Sequence, residues 1–273
     1  MQEHILKGTE ITLNKKASIK APFCKISAAV RRGHEVCGDS AFIYADDEKA
    51  IFGVFDGVSG EPSADSASTI AASTVLKELK EVKTPTAKKL KDALSKAHAE
   101  VNEGYTTALV LFVKKDGSYM VASVGDSALY SLDSGEIDLE IPLGRIVSKG
   151  DTIFRFMKFR NIVKSVVGWA SGGMEINIQR GKLSSGNILI AATDCLPDNL
   201  EVEVSEFNVE EQSGKVDLGR IIGKTRDPQK ILDKIYETIR ERMSNEGRKQ
   251  RGKYLLESKL DDLGIIVFSY SRT

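Results

Sequence analysis

Aspartates stand at the ends of apolar runs in five places. FGVFDGVSG closes one run at Asp56 with Gly57 behind it, YMVASVGDS closes another at Asp126, and ILIAATDC closes a third at Asp194. CGDSAFIY places Asp39 just before an apolar run, and KLDDLGIIVFSY does the same with Asp261 and Asp262. A lone aspartate in such a place serves turn and cap hydrogen bonds. Five of them ask for more, because neighbouring strands bring their same-side ends together and the gathered carboxylates repel unless cations occupy the cluster. Oxygen donors without histidine or cysteine suit the hard ions Mg²⁺ and Mn²⁺. Gly57, lacking a Cβ, would let a backbone carbonyl approach an ion as a further ligand.

The elements that must position these residues are legible from periodicity. Residues 41–45, 51–55, 107–113, 119–124, 128–132, 175–179, 188–192 and 265–270 read as strands, each a cluster of β-branched and aliphatic residues between turn residues. The turns at Lys115-Asp116-Gly117, Gly125-Asp126-Ser127 and Asp133-Ser134-Gly135 are too short for a parallel crossover, so the strands they join are expected to be antiparallel neighbours. Ala64, Ala67, Ala71, Val75 and Leu79 form a small-residue stripe on one helix, and Leu90, Leu94, Ala97 and Val101 a second, opened by Thr84-Pro85 and stopped by Gly104. Asp227-Pro228 opens a third, with Ile231, Ile235 and Ile239 on its buried side. Strands cluster and helices come in blocks, which reads as α+β with mainly antiparallel sheet. The segment 143–170 shows little periodicity.

Composition narrows the function. At 273 residues and 41% hydrophobic, the chain can bury one large core, and a single domain over 1–273 is expected. The 39 basic and 39 acidic residues cancel, so no global field draws the protein to nucleic acid or an anionic membrane. Cys24, Cys37 and Cys195 are too scattered for a disulfide framework or a zinc knuckle. No apolar block is long enough for a signal peptide or a membrane span, so a cytoplasmic location is expected.

Taken in order, CGDSAF, FGVFDGVSGEPSA, TTALVLFV, VASVGDSALY, FRNIVKSVVGW, ILIAATDCLPDNL and LDDLGIIVF resemble the successive motifs of the metal-dependent protein phosphatases, the PPM or type 2C family. The resemblance runs over residues 33–269. It implies two packed antiparallel sheets flanked by helices, an α-β-β-α sandwich, with a binuclear Mg²⁺ or Mn²⁺ centre at one end. It further implies that Asp56 bridges the two ions, that the Gly57 carbonyl binds one, and that Asp194 and Asp261 complete the shell of the other. Asp39 matches an acidic residue that reaches the centre through metal-bound water, and Asp126 matches the aspartate linked in some members to a weaker third ion. Asp56, Asp194 and Asp261 thus carry the catalytic assignment. A water between two divalent cations loses its proton readily and attacks phosphorus in line. The implied substrate is phosphoserine or phosphothreonine in a protein.

Departures from the family pattern motivate an alternative, a catalytically impaired regulatory or phosphoprotein-binding module. Cys195 replaces the glycine that usually follows the aspartate matched by Asp194; it reads as a tolerated change in a turn needing no positive φ, and not as a catalytic thiolate. The family's phosphate-binding arginine is displaced, with Arg32 as the candidate. His34 is a candidate acid for the leaving group, although a lone surface histidine usually has no such role. The basic stretches 158–160 and 247–253 read as solvated loops, since few aromatics lie nearby for base stacking. No nucleic-acid or membrane partner is expected.

Overall fold

The computed structural model describes residues 1–141, 143–146, 151–160, 162–168, 174–202, 214–244 and 259–272. Its strands are β1 (Gln2–Leu6), β2 (Asn14–Ala21), β3 (Cys24–Arg31), β4 (Ser40–Ala45), β5 (Lys49–Phe55), β6 (Tyr105–Thr106), β7 (Ala108–Lys114), β8 (Ser118–Val124), β9 (Ala128–Asp133), β10 (Glu136–Leu139), β11 (Val167–Gly168), β12 (Asn177–Lys182), β13 (Ile188–Ala192) and β14 (Leu263–Tyr270). The helices are α1 (Ala64–Lys80), α2 (Ala87–Glu100), α3 (Ile153–Phe159), α4 (Cys195–Asn199), α5 (Lys215–Ile222) and α6 (Pro228–Ser244).

Two six-stranded sheets carry the architecture, one ordered β1-β4-β5-β7-β8-β12 and the other β10-β9-β13-β14-β3-β2, and every pairing within them is antiparallel. Side chains alternate between two buried faces. In β5, Phe52 and Val54 enter the core between the sheets, whereas Ile51 and Phe55 enter a second core beneath α1 and α2. In β14, Ile266 and Phe268 face the first core, and Ile265 and Val267 face a third beneath α5 and α6. Phe52 and Phe268 stack across the sandwich with centroids 5.2 Å apart, and burying each contributes about 1.5–3 kcal/mol. Strands buried on both faces read as continuous apolar runs, which is why they are legible in the sequence. This is the α-β-β-α sandwich of the α+β class.

The small-residue stripe of α1 lies as expected at Ala67, Ala71, Val75 and Leu79, buried in one core with Phe42 and Phe55, whereas Ala64 at the helix start is only partly buried. The second helix starts later than Thr84-Pro85 suggests. Thr86 is its cap, accepting a hydrogen bond from Lys89 N (3.2 Å). At α6, Asp227 Oδ1 accepts from Lys230 N (3.0 Å), and Ile231, Ile235 and Ile239 are buried as expected.

One strand connection overturns the expectation. Lys115–Gly117 and Asp133–Gly135 do join antiparallel neighbours, but Gly125-Asp126-Ser127 does not: β8 belongs to one sheet and β9 to the other. A short connection in a sandwich can step between layers as well as between neighbours. Gly125 makes the step with φ +89°, and a Cβ there would stand 2.6 Å from Thr107 Cγ2. Thr107 Oγ1 in turn shares a 2.8 Å hydrogen bond with Ser127 Oγ, tying the crossover to the first sheet.

Candidate metal centre

Strand direction alone gathers the aspartates. Asp39 precedes β4 and Asp56 follows β5, its antiparallel neighbour, so both lie at one end; β7 leaves from that end, β8 returns to it, and Asp126 follows. The crossover starts β9 at the same end, β13 runs back to finish before Asp194, and β14 departs just after Asp261 and Asp262.

The main chain around Asp56 is fully engaged. Its carbonyl accepts from Thr107 N (2.7 Å) and Thr106 Oγ1 (2.9 Å), and its amide donates to Thr107 Oγ1 (3.2 Å). The carboxyl group is thereby aimed inward, where one oxygen each from Asp56, Asp126 and Asp194 lies within 4.8 Å of the others. Gly57 has a packing reason to be glycine: a Cβ would stand 2.5 Å from the Ala64 carbonyl oxygen and 2.6 Å from that of Gly38.

The remaining acids divide by partner. Asp39 is buried and accepts from Thr193 Oγ1 (2.8 Å). Asp261 Oδ1 accepts from Asp262 N (2.9 Å) and lies 3.5 Å from His34 Nδ1. Asp262 turns to the backbone instead, accepting from Gly33 N (2.5 Å), His34 N (3.2 Å) and Gly38 N (2.6 Å), so it clamps the loop ahead of Asp39.

Two cations absent from the sequence expectations enter this cluster, Arg145 buried and Lys259 partly buried. Arg145 Nε bonds Asp126 Oδ2 at 2.9 Å and its Nη1 bonds Asp198 Oδ1 at 2.5 Å, all with side chains 2% exposed or less. Lys259 Nζ lies 2.5 Å from Asp194 Oδ2, 2.7 Å from Asp261 Oδ2 and 3.4 Å from Asp198 Oδ2. Neither announces itself in the sequence, because Arg145 lies in the weakly periodic 143–170 segment and Lys259 in a charged stretch. The one available signal was Asn199, whose side chain accepts from Lys259 N (3.1 Å) and donates to Lys259 O (2.8 Å).

Burial pushes Asp56 well above the usual carboxylate range, and the charges of Asp194, Asp39, Asp261 and Asp126 push it further. Burial likewise raises Asp39, helped by Asp262 and Asp261. Asp126 is raised to about 6 by burial, against the pull of Arg145. Asp261 also reaches about 6, through burial and the charge of Asp194, with Lys259 opposing. Asp194 is the exception: burial would raise it, but Lys259 and Arg145 hold it below the usual value.

The donor set is the test for a divalent ion. Asp56, Asp126 and Asp194 offer only oxygens, and among the described residues no cation pairs with Asp56, so this group fits a hard ion. Between Asp194 and Asp261 the fit is contested, because the Lys259 ammonium already bridges their oxygens.

The sequence matches the protein phosphatase 2C family over residues 28–207. The chain belongs to that family. Among solved structures, the serine/threonine phosphatase of S. agalactiae is similar with a TM-score of 0.66 at 15% identity, covering 91% of this chain and all (100%) of its own. RsbX in complex with magnesium gives 0.62 at 17% identity, with 94% and 100% covered. The PPM Ser-Thr phosphatase MsPP from Mycobacterium smegmatis, in complex with cacodylate, gives 0.63 at 14%, with 96% and 99% covered. No curated protein sequence matches the chain. Likeness at such identities establishes the fold, and the family is one of metal-dependent phosphatases.

Against the type 2C pattern, the other expected residues fall out as follows. The Arg32 guanidinium donates to the Glu35 carbonyl (3.1 Å), and among the described residues it makes no ion pair with the clustered acids. His34 does reach the cluster, with its side chain 42% exposed. Cys195 is fully buried with Sγ 3.4 Å from Met243 Sδ, and burial drives its thiol well above the usual range, so it is no nucleophile. It opens α4 with a φ that is not positive, so its backbone conformation does not call for glycine. The stretch 158–160 is not the solvated loop expected: Lys158 and Phe159 end α3, and Arg160 is buried; 247–253 lies outside the described residues. Among the described residues no helix is long and apolar enough to cross a membrane.

Proposed function

We propose that this phosphatase 2C chain is an active enzyme that hydrolyses phosphoserine and phosphothreonine in proteins, as a single cytoplasmic domain over 1–273. The observation that carries this reading is the convergence of Asp56, Asp126 and Asp194, oxygen donors only, with Asp56 left without a cationic partner among the described residues. Asp56, the Gly57 carbonyl, Asp194 and Asp261 would hold two Mg²⁺ or Mn²⁺ ions, Asp39 would support them, and Asp126 would serve a weaker third. Bound divalent ions neutralise charge on the transferring phosphoryl group and lower the pKa of water. The chain's own part is positional. Thr106 and Thr107 fix the backbone of Asp56 so that its carboxylate is set before substrate arrives. Asp262 holds the 33–38 loop, and with it His34, beside Asp261, where an imidazolium could hand a proton to the leaving serine or threonine oxygen. Arg32 is the proposed phosphate ligand; its guanidinium would have to leave the Glu35 carbonyl to serve.

The second reading, a binding or regulatory module with decayed catalysis, is favoured by Lys259 lying on Asp194 and Asp261 and by the engagement of Arg32 elsewhere. Hydrolysis of p-nitrophenyl phosphate and of a panel of phosphoserine, phosphothreonine and phosphotyrosine peptides separates the two. Turnover that requires Mn²⁺ and vanishes in chelator, on the first two peptide classes, is the expected result. A folded protein silent with saturating Mn²⁺ belongs to the second reading.

A further inference from the structure

Lys259 is held as a part of the site and not as a surface side chain passing by. Its main chain is pinned on both sides by the Asn199 carboxamide. Its side chain is 20% exposed, and its ammonium, with three donors, faces three carboxylates. The oxygens it engages on Asp194 and Asp261 belong to the two residues assigned above to one ion. An ammonium and a divalent ion compete for them, because both are drawn to the same oxygens and two cations at contact distance repel one another.

We infer that Lys259 is a built-in counter-ion for the Asp194–Asp261 half of the centre, whose ammonium must swing away before a divalent ion is held there. This rests on the metal-centre reading and adds a regulatory feature to it: the ion position between Asp194 and Asp261 is competed for by the protein's own cation. The pinned main chain of Lys259 makes the exchange a rotation of its four-carbon stem. Without metal, Lys259 offsets the repulsion of the acids; with metal, it is released toward solvent. Since the exchange is an equilibrium, an acidic or phosphorylated group on the substrate that draws the freed ammonium outward would tighten ion binding by the same factor by which the bound ion tightens the binding of that group.

Lys259→Met keeps the stem and removes the charge, and Lys259→Arg keeps a charge. Mn²⁺ titration at neutral pH by calorimetry, with free Mn²⁺ counted by electron paramagnetic resonance, reads affinity and stoichiometry without any assay of turnover. The expected result is a second ion bound roughly tenfold or more tighter in Lys259→Met than in the unmutated protein, with a lower melting temperature in chelator; Lys259→Arg keeps the weak second site. A second measurement needs no variant. Acetylation of Lys259 by an N-hydroxysuccinimide ester, followed by mass spectrometry, should be slow in chelator and accelerate as Mn²⁺ saturates. Equal second-ion affinity in the Lys259→Met and unmutated proteins overturns the inference, and so does labelling indifferent to bound Mn²⁺. Absence of Mn²⁺ binding to either protein overturns the metal-centre reading itself, and the inference with it.

Discussion

The two ends of the β-sandwich use the same residue in opposite ways. At the end away from the acidic cluster, Asp46 and Asp116 occupy strand-connecting turns. Asp46 accepts from Glu48 N (2.8 Å), Lys49 N (2.9 Å) and Tyr44 OH (2.9 Å), and Asp116 from Ser118 N (2.9 Å) and Ser118 Oγ (2.5 Å). The Ser118 donors hold Asp116 below the usual carboxylate range; for Asp46, burial opposes ionisation but the donors prevail. At the site end the backbone of Asp56 is satisfied by Thr106 and Thr107, and its carboxyl group receives none of those donors and is left facing Asp126 and Asp194. The lesson is that an aspartate after a strand is neither structural nor functional by position. What decides is whether local N–H and O–H groups turn toward it, and a site that withholds them stores electrostatic repulsion for a cation to relieve.

The sharpest way to break the contrast is Asp56→Asn, which removes a charge while keeping shape and hydrogen bonding. It is expected to lower kcat/KM by roughly 10²- to 10⁴-fold, the several kcal/mol that metal assistance supplies. The same variant should melt at an equal or higher temperature in chelator and gain little from Mn²⁺, whereas the unmutated protein gains by mass action. A variant that lost stability in chelator yet kept its response to Mn²⁺ would make Asp56 a turn residue like Asp116.

Next in size is Arg145→Met, because a buried pair that loses one partner leaves uncompensated charge on Asp126 and Asp198. Urea unfolding in chelator should show a loss of about 3–5 kcal/mol. A loss below about 1 kcal/mol would mean that Arg145 contributes no more than a surface ion pair.

The pH dependence of stability in chelator should sharpen the comparison, because the site's acids other than Asp194 shift upward whereas Asp46 and Asp116 shift downward. Asp126 and Asp261 sit at about 6 in the folded protein against an ordinary 3.8, so the native state there binds more protons than the unfolded chain. Their contribution is present below about 3.8 and is lost as pH rises through about 6, with stability falling by roughly 3–6 kcal/mol over that window. Asp46 and Asp116, being lowered, contribute stability that is present above 3.8 and lost as pH falls through their folded values. Saturating Mn²⁺ should flatten the first trend, since the ion and the protons compete for the same oxygens. Denaturant midpoints across pH 4 to 7, with and without Mn²⁺, check this; a midpoint that rises from pH 4 to 6 in chelator would contradict it.

The smallest effect belongs to Asp116→Asn. It should cost no more than about 1 kcal/mol, typical of an exposed turn hydrogen bond, and leave turnover unchanged; a large loss of activity would erase the distinction between the ends.

By itself the sequence determined the pieces whose signal is local. Strands such as β5, β13 and β14 are apolar on both faces, so burial prints as a continuous run, and α1 prints its packing as a period of three and four. The strand-end aspartates were visible for the same reason, since a change from apolar to charged marks the end of a strand. Edge strands β1 and β2 were not seen as strands, because their exposed positions carry charged residues such as Glu3, Lys15 and Lys20, and central β3 was not seen because its interior is small Ser27, Ala28 and Ala29. Only the tertiary structure decided that Gly125-Asp126-Ser127 changes sheets, since a short connection looks alike whether its strands pair side by side or face to face. It also decided that Arg145 and Lys259 enter the cluster. Their partners lie far along the chain, Asp198 53 residues after Arg145 and Asp194 65 residues before Lys259. No local period can encode a charge whose meaning is set by the strand order that brings distant carboxylates around it.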